Sequence, residues 1–388
     1  MSAENFTPDQ VTLANWRVQP FNTWSFHNVE TLVPVATVAA GGKVWDLPAK
    51  PQSVDDITFK HPDGDMHRVD AVMEAATTTA MVVLKSGKLA YERYWHGYDG
   101  KKPHLLFSVT KSFAGALAGV LVERGELEED APVTRYVPEV ANSAYGDCTV
   151  RHVLDMTVSS SFIEDYTDPT GGYARYRRAT LWNPIPEGET AETLHQFLAT
   201  MPRDKEPHGE IFHYLSPNSD FLGWVIERAS GLTFAEALSK YIWQPMGAEA
   251  AGQITVDAEG TPRTGGGLCV CPRDLARFGE LMRLGGSVDG RAILPAAWVD
   301  DIRHGGDPDP WCKGTLKIMF PDGGYRSKWY QTGNATGAFC AIGIHGQWIW
   351  VDPVTEVVIA RTAAQPEPVD DPTDYALIAA YEAIAAAL

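Results

Sequence analysis

Two strand-like runs, one early in the chain and one near its end, constrain the fold more than any other feature. The first is Met81-Val82-Val83-Leu84, a Ser86-Gly87 turn, then Leu89-Ala90-Tyr91-Glu92-Arg93-Tyr94, and it predicts a β-hairpin. The second runs from Ile342 to Val351, turns at Asp352-Pro353-Val354-Thr355 and resumes at Val357-Val358-Ile359-Ala360, predicting another. Between them the signals are helical. Residues 108–124 carry Phe113, Leu117, Val120 and Leu121 at helical spacing, with Gly125 as a stop. Shorter helices are expected over 194–200 and 220–230, an amphipathic one over 273–284 and an alanine-rich one over 375–388. Strands near both ends with helices between them point to an α+β architecture. One antiparallel sheet is assembled from the two ends of the chain, terminal helices flank it, and a mostly helical region is inserted. The expected division is an α/β part from residues 1–105 and 255–388 and a helical part from 106–254. Residues 1–70, rich in Pro, Asp and Gly, read as an irregular wrapping segment.

Composition narrows the partners. A chain of 388 residues that is 44% hydrophobic can bury a large core. Its net charge of −18 repels phosphate backbones and anionic membrane surfaces, so no nucleic-acid or membrane partner is expected. The N-terminus lacks a basic start followed by an apolar run, and no stretch approaches the about 18 apolar residues of a membrane span. The expected location is the cytoplasm, and a homodimer is the one protein assembly left open. Five cysteines without regular spacing form no disulfide framework. Cys269-Val-Cys271 lacks a second ligand pair nearby, so buried thiols are expected there rather than a metal.

The chemistry-bearing pattern is Phe107-Ser108-Val109-Thr110-Lys111 at the start of the strongest helix. Residues three apart on a helix share a face, so the Lys111 amine can reach the Ser108 hydroxyl. A serine hydroxyl becomes a useful nucleophile only when a base takes its proton, and a buried lysine with a lowered pKa can be that base. The helix N-terminus offers backbone N–H groups to a developing oxyanion. Taken alone, the same spacing also suits an N-cap serine followed by a solvated lysine. A second segment, His213-Tyr214-Leu215-Ser216-Pro217-Asn218-Ser219-Asp220, places a tyrosine that can relay a proton and an Asn218 that can hydrogen-bond Lys111 or a substrate carbonyl. Its plainer reading is a loop tyrosine with Ser219 or Asp220 capping the next helix. A third, Gly343-Ile344-His345-Gly346-Gln347, has strand glycines of the kind that allow close approach of another backbone, with His345 either touching substrate or packing within the sheet.

In this order, Ser108-Val-Thr-Lys111, Tyr214 with Ser216 and Asn218, and Ile344-His345-Gly346-Gln347 resemble the serine β-lactamase-like proteins, among them class C β-lactamases, penicillin-binding DD-peptidases and family VIII esterases. Within that superfamily the chain is most similar to the 6-aminohexanoate-dimer (nylon oligomer) hydrolases. The supporting segments include Asn15-Trp16-Arg17, His104-Leu-Leu-Phe-Ser108, Glu164-Asp165-Tyr166-Thr-Asp168-Pro169, Gly265-Gly266-Gly267-Leu268 and Arg273-Asp274-Leu275-Ala276-Arg277. The resemblance spans nearly the whole chain. It implies a β-lactamase/transpeptidase-like fold, no cofactor, and acyl transfer on Ser108 from a small amide or ester substrate, with Lys111 and Tyr214 sharing the acid–base work. It further implies an oxyanion hole from the Ser108 and Ile344 amides, and substrate contacts from Tyr166, Trp182, Tyr330, Asn218, His345 and Arg177. The aromatics among these suit core positions equally.

Two departures narrow the implied substrate. His345-Gly346-Gln347 stands where β-lactamases carry Lys-Thr-Gly, removing the cation that would hold a β-lactam carboxylate. Ala174-Arg175-Tyr176-Arg177-Arg178 is basic where efficient nylon-dimer hydrolases place an acid for the substrate's ammonium end, so a cationic end is repelled. Weak nylon-dimer turnover and a preference for esters of small carboxylic acids are expected. The competing readings are a carboxylesterase with little amidase activity and a non-catalytic binding protein of the penicillin-recognising fold.

Overall fold

The computed structural model describes residues 6–388 apart from Thr167. Five helices bear on the site: α1 (Val109–Glu123), α2 (Gly172–Ala179), α3 (Ser216–Ser230), α4 (Pro272–Arg283) and α5 (Asp371–Ala387). The main sheet has seven strands. β1 (Thr78–Lys85) and β2 (Lys88–Tyr94) are the early hairpin. The end of the chain supplies β3 (Gly324–Arg326), β4 (Trp329–Gln331), β5 (Phe339–Gly343), β6 (Gln347–Asp352) and β7 (Val357–Ala363). Their spatial order is β3-β4-β5-β6-β7-β1-β2, and every pairing is antiparallel. The two ends of the chain join where β7 pairs with β1, with Val358 opposite Leu84 and Ala360 opposite Val82.

The central strands are buried along almost their whole length, because both faces of the sheet are covered. Successive side chains point to opposite faces. Val82, Leu84, Val358 and Ala360 join a core with Phe278 and Leu281 of α4. Met81, Val83, Val357 and Ile359 join a second core with Leu377 and Tyr381 of α5. Helix α1 is enclosed on all sides, and residues 109–121 are buried without a break, the polar Thr110, Lys111 and Ser112 of its first turn among them. Gly115 is required there: a Cβ would stand 2.1 Å from the Ser327 carbonyl oxygen. A third apolar cluster ties Trp16 and Phe26 of the N-terminal segment to Phe107 and Trp182. No helix among the described residues is long and apolar enough to cross a membrane.

Three details differ from the sequence reading. A second sheet exists, ordered Val35–Val38, Gly252–Thr255, Leu268–Val270 and His104–Leu105. Its strands are two to four residues long, too short to show alternation. The predicted single strand from Ile342 to Val351 is two strands, because Gly343 pairs with Gln347 and Ile344-His345-Gly346 forms the turn between them. His345 and Gly346 there take φ of +59° and +85°, a turn hidden inside an apolar run. Helix α3 begins at Ser216 rather than near Asp220, with Pro217 in its first turn, where the missing N–H costs nothing. Ser219 and Asp220 are therefore buried helix residues and not caps.

Candidate active site

Ser108 is the N-cap residue of α1, delivered by the short strand His104–Leu105. The residue before it, Phe107, has φ of +46°, an unfavourable conformation for a side chain with a Cβ, at roughly 1–3 kcal/mol. Packing holds it there: the Phe107 ring lies 4.9 Å from that of Phe26 and 5.8 Å from that of Trp182. This sharp turn brings Ser108 into a cleft while α1 stays buried.

One helical turn on, Lys111 is only 1% exposed, which rules out the solvated-lysine reading. Its Nζ lies 2.7 Å from Ser108 Oγ, 3.1 Å from Ser216 Oγ and 2.5 Å from the Gly265 carbonyl oxygen. Burial pushes its pKa down to about 8, against the opposing pull of the Glu164 and Asp220 carboxylates. Tyr214 precedes α3, and its ring lies 4.9 Å from Lys111 Nζ. Burial together with the Glu164 charge raises the pKa of its phenol, against the opposing influence of Ser108 and Tyr330, so it stays protonated at neutral pH.

Glu164 organises the other side. It accepts from the Tyr166 hydroxyl at 2.7 Å, from Ser216 Oγ at 2.6 Å and from the Ser216 amide. Asp220, its pKa raised by burial, accepts from the Gly265 amide at 2.6 Å and from the Tyr176 hydroxyl. The Gly265 carbonyl is thereby fixed against Lys111. On the opposite wall, β5 reaches Ser108 because Gly343 has no side chain: a Cβ there would lie 3.1 Å from the Ser108 amide nitrogen and 2.5 Å from the Leu106 carbonyl oxygen. Ile344 follows directly. Among the described residues, neither the Ser108 nor the Ile344 amide donates to a protein acceptor.

Two cavities meet at Ser108. The larger, about 300 Å³, is mostly apolar, walled by Tyr214, Leu316, Met319, Phe320, Tyr330 and Ile342. The smaller is lined by Arg17, Tyr173, Arg177, Trp182 and Arg263. Tyr166 and Ile344 border both. The structure thus brings Ser108, Lys111, Tyr214, Tyr166, Tyr330, Trp182, Arg177 and Ile344 together. It places two sequence-predicted site residues elsewhere. Asn218 is fully buried with its Oδ1 accepting from Tyr145 at 3.2 Å, and Ser216 takes the place beside Lys111 instead. His345 lines neither cavity: its Nδ1 lies 2.8 Å from the Gln365 carbonyl oxygen, and its ring packs against Phe26 and Phe107. Burial lowers its pKa to about 4, so it is neutral there.

Sequence reasoning assigned no role to Glu164, Ser216, the Gly265 carbonyl, Arg17 or Arg263. Ser216 lies two residues beyond Tyr214 and Glu164 two before Tyr166, and Arg17 and Gly265 fall in segments that carry the family resemblance; Arg263 alone of the five lies outside every such segment. The Cys269 and Cys271 thiols are buried and approach different carbonyls, those of Gly267 and Lys101. Among the described residues one group, His61, Asp63 and His67, has its ligand atoms close enough to hold a metal; it lines neither Ser108 cavity.

Comparison with known proteins fits this geometry. The family model described as Beta-lactamase matches residues 67–383. The chain belongs to the beta-lactamase family. It is 36% identical over 358 residues to the 6-aminohexanoate-dimer hydrolase of Paenarthrobacter ureafaciens, covering 92% of this chain and 89% of that protein. It is 30% identical over 212 residues to the esterase EstB of Burkholderia gladioli, about half of each chain. A solved structure from Bacillus anthracis, assigned as a 6-aminohexanoate-dimer hydrolase, superposes with a TM-score of 0.88 at 26% identity, covering 98% of this chain and 97% of that one. The expected β-lactamase/transpeptidase-like fold and the resemblance to dimer hydrolases are both borne out, and the chain is a serine hydrolase.

Proposed function

We propose that the protein cleaves small carboxylic esters and amides through an acyl-enzyme on Ser108. The observation that carries this reading is the Lys111 amine, buried, held 2.7 Å from Ser108 Oγ and lowered to a pKa of about 8. In the first half-reaction Lys111 takes the Ser108 proton as Oγ attacks the substrate carbonyl carbon. The oxyanion that forms is received by the Ser108 and Ile344 amides. As the carbonyl re-forms, the bond to the leaving alcohol or amine breaks. Tyr214, protonated and lining the same cavity as Ser108, passes a proton to that group and is recharged from Lys111. Water then attacks the acyl-enzyme by the same groups in reverse, releasing the acid. The helical part (residues 106–254) supplies Ser108, Lys111, Tyr166 and Tyr214, and the sheet-bearing part (1–105 and 255–388) supplies Gly265 and Ile344, so the site lies at their junction.

A carboxylesterase with little amidase activity is the second reading. Amide cleavage demands protonation of a poor leaving nitrogen, and the Tyr166 hydroxyl is committed to Glu164. Neutral, inward-facing His345 supplies no cation for a β-lactam carboxylate, so slow penicillin turnover is proposed. Five free cysteines suit a reducing compartment, and we place the protein in the cytoplasm. Initial rates on matched short p-nitrophenyl esters, linear amides and a β-lactam test the proposal. Ester rates should lead, and Ser108→Ala should abolish them. Unimpaired ester hydrolysis in the alanine variant would refute the nucleophile assignment.

A further inference from the structure

The smaller cavity beside Ser108 holds three guanidinium groups, Arg17, Arg177 and Arg263, in a protein whose net charge is −18. Among the described residues none of the three makes an ion pair with a carboxylate. Arg17 donates to the Trp182 carbonyl at 2.7 Å and to Asn183 Oδ1 at 2.5 Å. Arg177 donates to the Tyr166 carbonyl at 3.2 Å and lies 4.5 Å from the Tyr173 ring. Arg263 is buried, sandwiched 4.0 Å from the Trp182 ring and 4.7 Å from Tyr176, and donates to Thr180 Oγ1 at 2.6 Å. Its Nε is buried with no hydrogen-bond partner. The nearby carboxylates, Glu164 and Asp220, are already committed to the site's hydroxyls and amides. Crowded like charge has a visible effect: burial, with help from Arg177 and Arg263, lowers the Arg17 pKa to about 9. Against burial, Tyr176, Asp220 and Glu164 raise the Arg263 pKa, whereas Arg17 and Arg177 have no carboxylate bonded to them among the described residues; together with the unsatisfied Arg263 Nε they leave a cleft suited to an added anion.

Position decides which part of the substrate that anion belongs to. Tyr214, the proton donor to the leaving group, lines only the larger apolar cavity. The leaving group therefore departs into that cavity, and the acyl portion extends into the arginine cleft. The open space in that cleft is about 10 Å³, room for about one water molecule, so an acyl chain enters only as the lining side chains move aside, and only a short one can.

Resting on the acyl-transfer reading above, we propose that the preferred substrates are half-esters of short dicarboxylic acids, whose free carboxylate is held by Arg17, Arg177 and Arg263 while the ester carbonyl sits at Ser108. The reaction consumes one water and releases a dicarboxylate, a proton and an apolar alcohol.

Three benzyl esters that share a leaving group test this: monobenzyl succinate, its carboxamide isostere, and benzyl 4-aminobutanoate with a terminal ammonium. In Ser108→Ala protein, calorimetric titration should show the succinate half-ester binding at least about tenfold more tightly than the carboxamide. In the active protein the kcat/KM ratio of acid to carboxamide should be of similar size, with the ammonium ester slowest, and Arg177→Gln should collapse that ratio chiefly through KM. Equal binding of acid and carboxamide, or a ratio unmoved by Arg177→Gln, would overturn the proposed subsite while leaving acyl transfer intact. Tight, selective binding of the acid by a wild-type protein that turns over none of the three esters would uphold the subsite and remove the acyl-transfer reading.

Discussion

Lys111 and Tyr214 are both buried, yet burial acts on them in opposite senses. It disfavours the charged form of each, so the ammonium loses its proton more readily and the phenol holds its own more tightly. On the proposed mechanism this divides the labour: the amine is the group that titrates near neutrality, and the phenol, still protonated there, is the proton carrier. Because the folded pKa of Lys111 lies near 8, below its ordinary 10.5, the neutral base accumulates as pH rises through 8. Ester hydrolysis should therefore climb with a slope of about one in log kcat/KM below pH 8 and level off above it, as measured across a pH series. A rate independent of pH from 6 to 9 would contradict the assignment. The same shift carries a stability cost: below pH 8 the buried ammonium opposes folding, and that cost fades as pH rises from 8 toward 10.5.

At the scale of elements, the site depends on β5 touching the start of α1, and Gly343 sets that contact. Gly343→Ala should force the Leu106–Ser108 backbone and Ile344 apart, lowering kcat on p-nitrophenyl esters by at least about tenfold and leaving the far-ultraviolet circular dichroism unchanged. Wild-type turnover in this variant would show that the two amides do not act together. Sequence made α1 and both hairpins legible, because each is long enough for its apolar period to repeat. The turn at Ile344-His345-Gly346 escaped because its neighbours are apolar on both sides. Its consequence for His345 escaped with it, since a residue read as part of a strand was in fact rotated inward against Phe26 and Phe107. The roles of Glu164, Arg17 and Arg263 escaped for a different reason. Each is an ordinary charged residue whose meaning comes from partners brought close only by the fold, Arg17 from the wrapping segment and Arg263 from a loop ahead of the second sheet's strand Leu268–Val270.

Across the whole molecule, the helices and the main sheet share one apolar core. Phe113 of α1 stacks on Phe278 of α4 with ring centroids 3.7 Å apart, and the same cluster takes in Val82 and Val358 of the sheet and Phe221 of α3. Continuous packing of this kind couples the two parts. Scanning calorimetry should show a single unfolding transition, and Phe113→Ala should lower its midpoint while costing about 3–5 kcal/mol. Two resolved transitions in the unmodified protein would contradict a shared core. The coupling also explains how residues from segments as distant as 104–111, 164–166, 214–216, 265 and 343–344 meet at one site.

The central claim is that Ser108 is the acylated nucleophile. Incubation with a fluorophosphonate, followed by peptide mass spectrometry, should find one adduct, on the peptide containing Ser108, formed faster as pH rises toward 8 and absent in Ser108→Ala. An adduct on any other residue, or one that persists in the alanine variant, would contradict it.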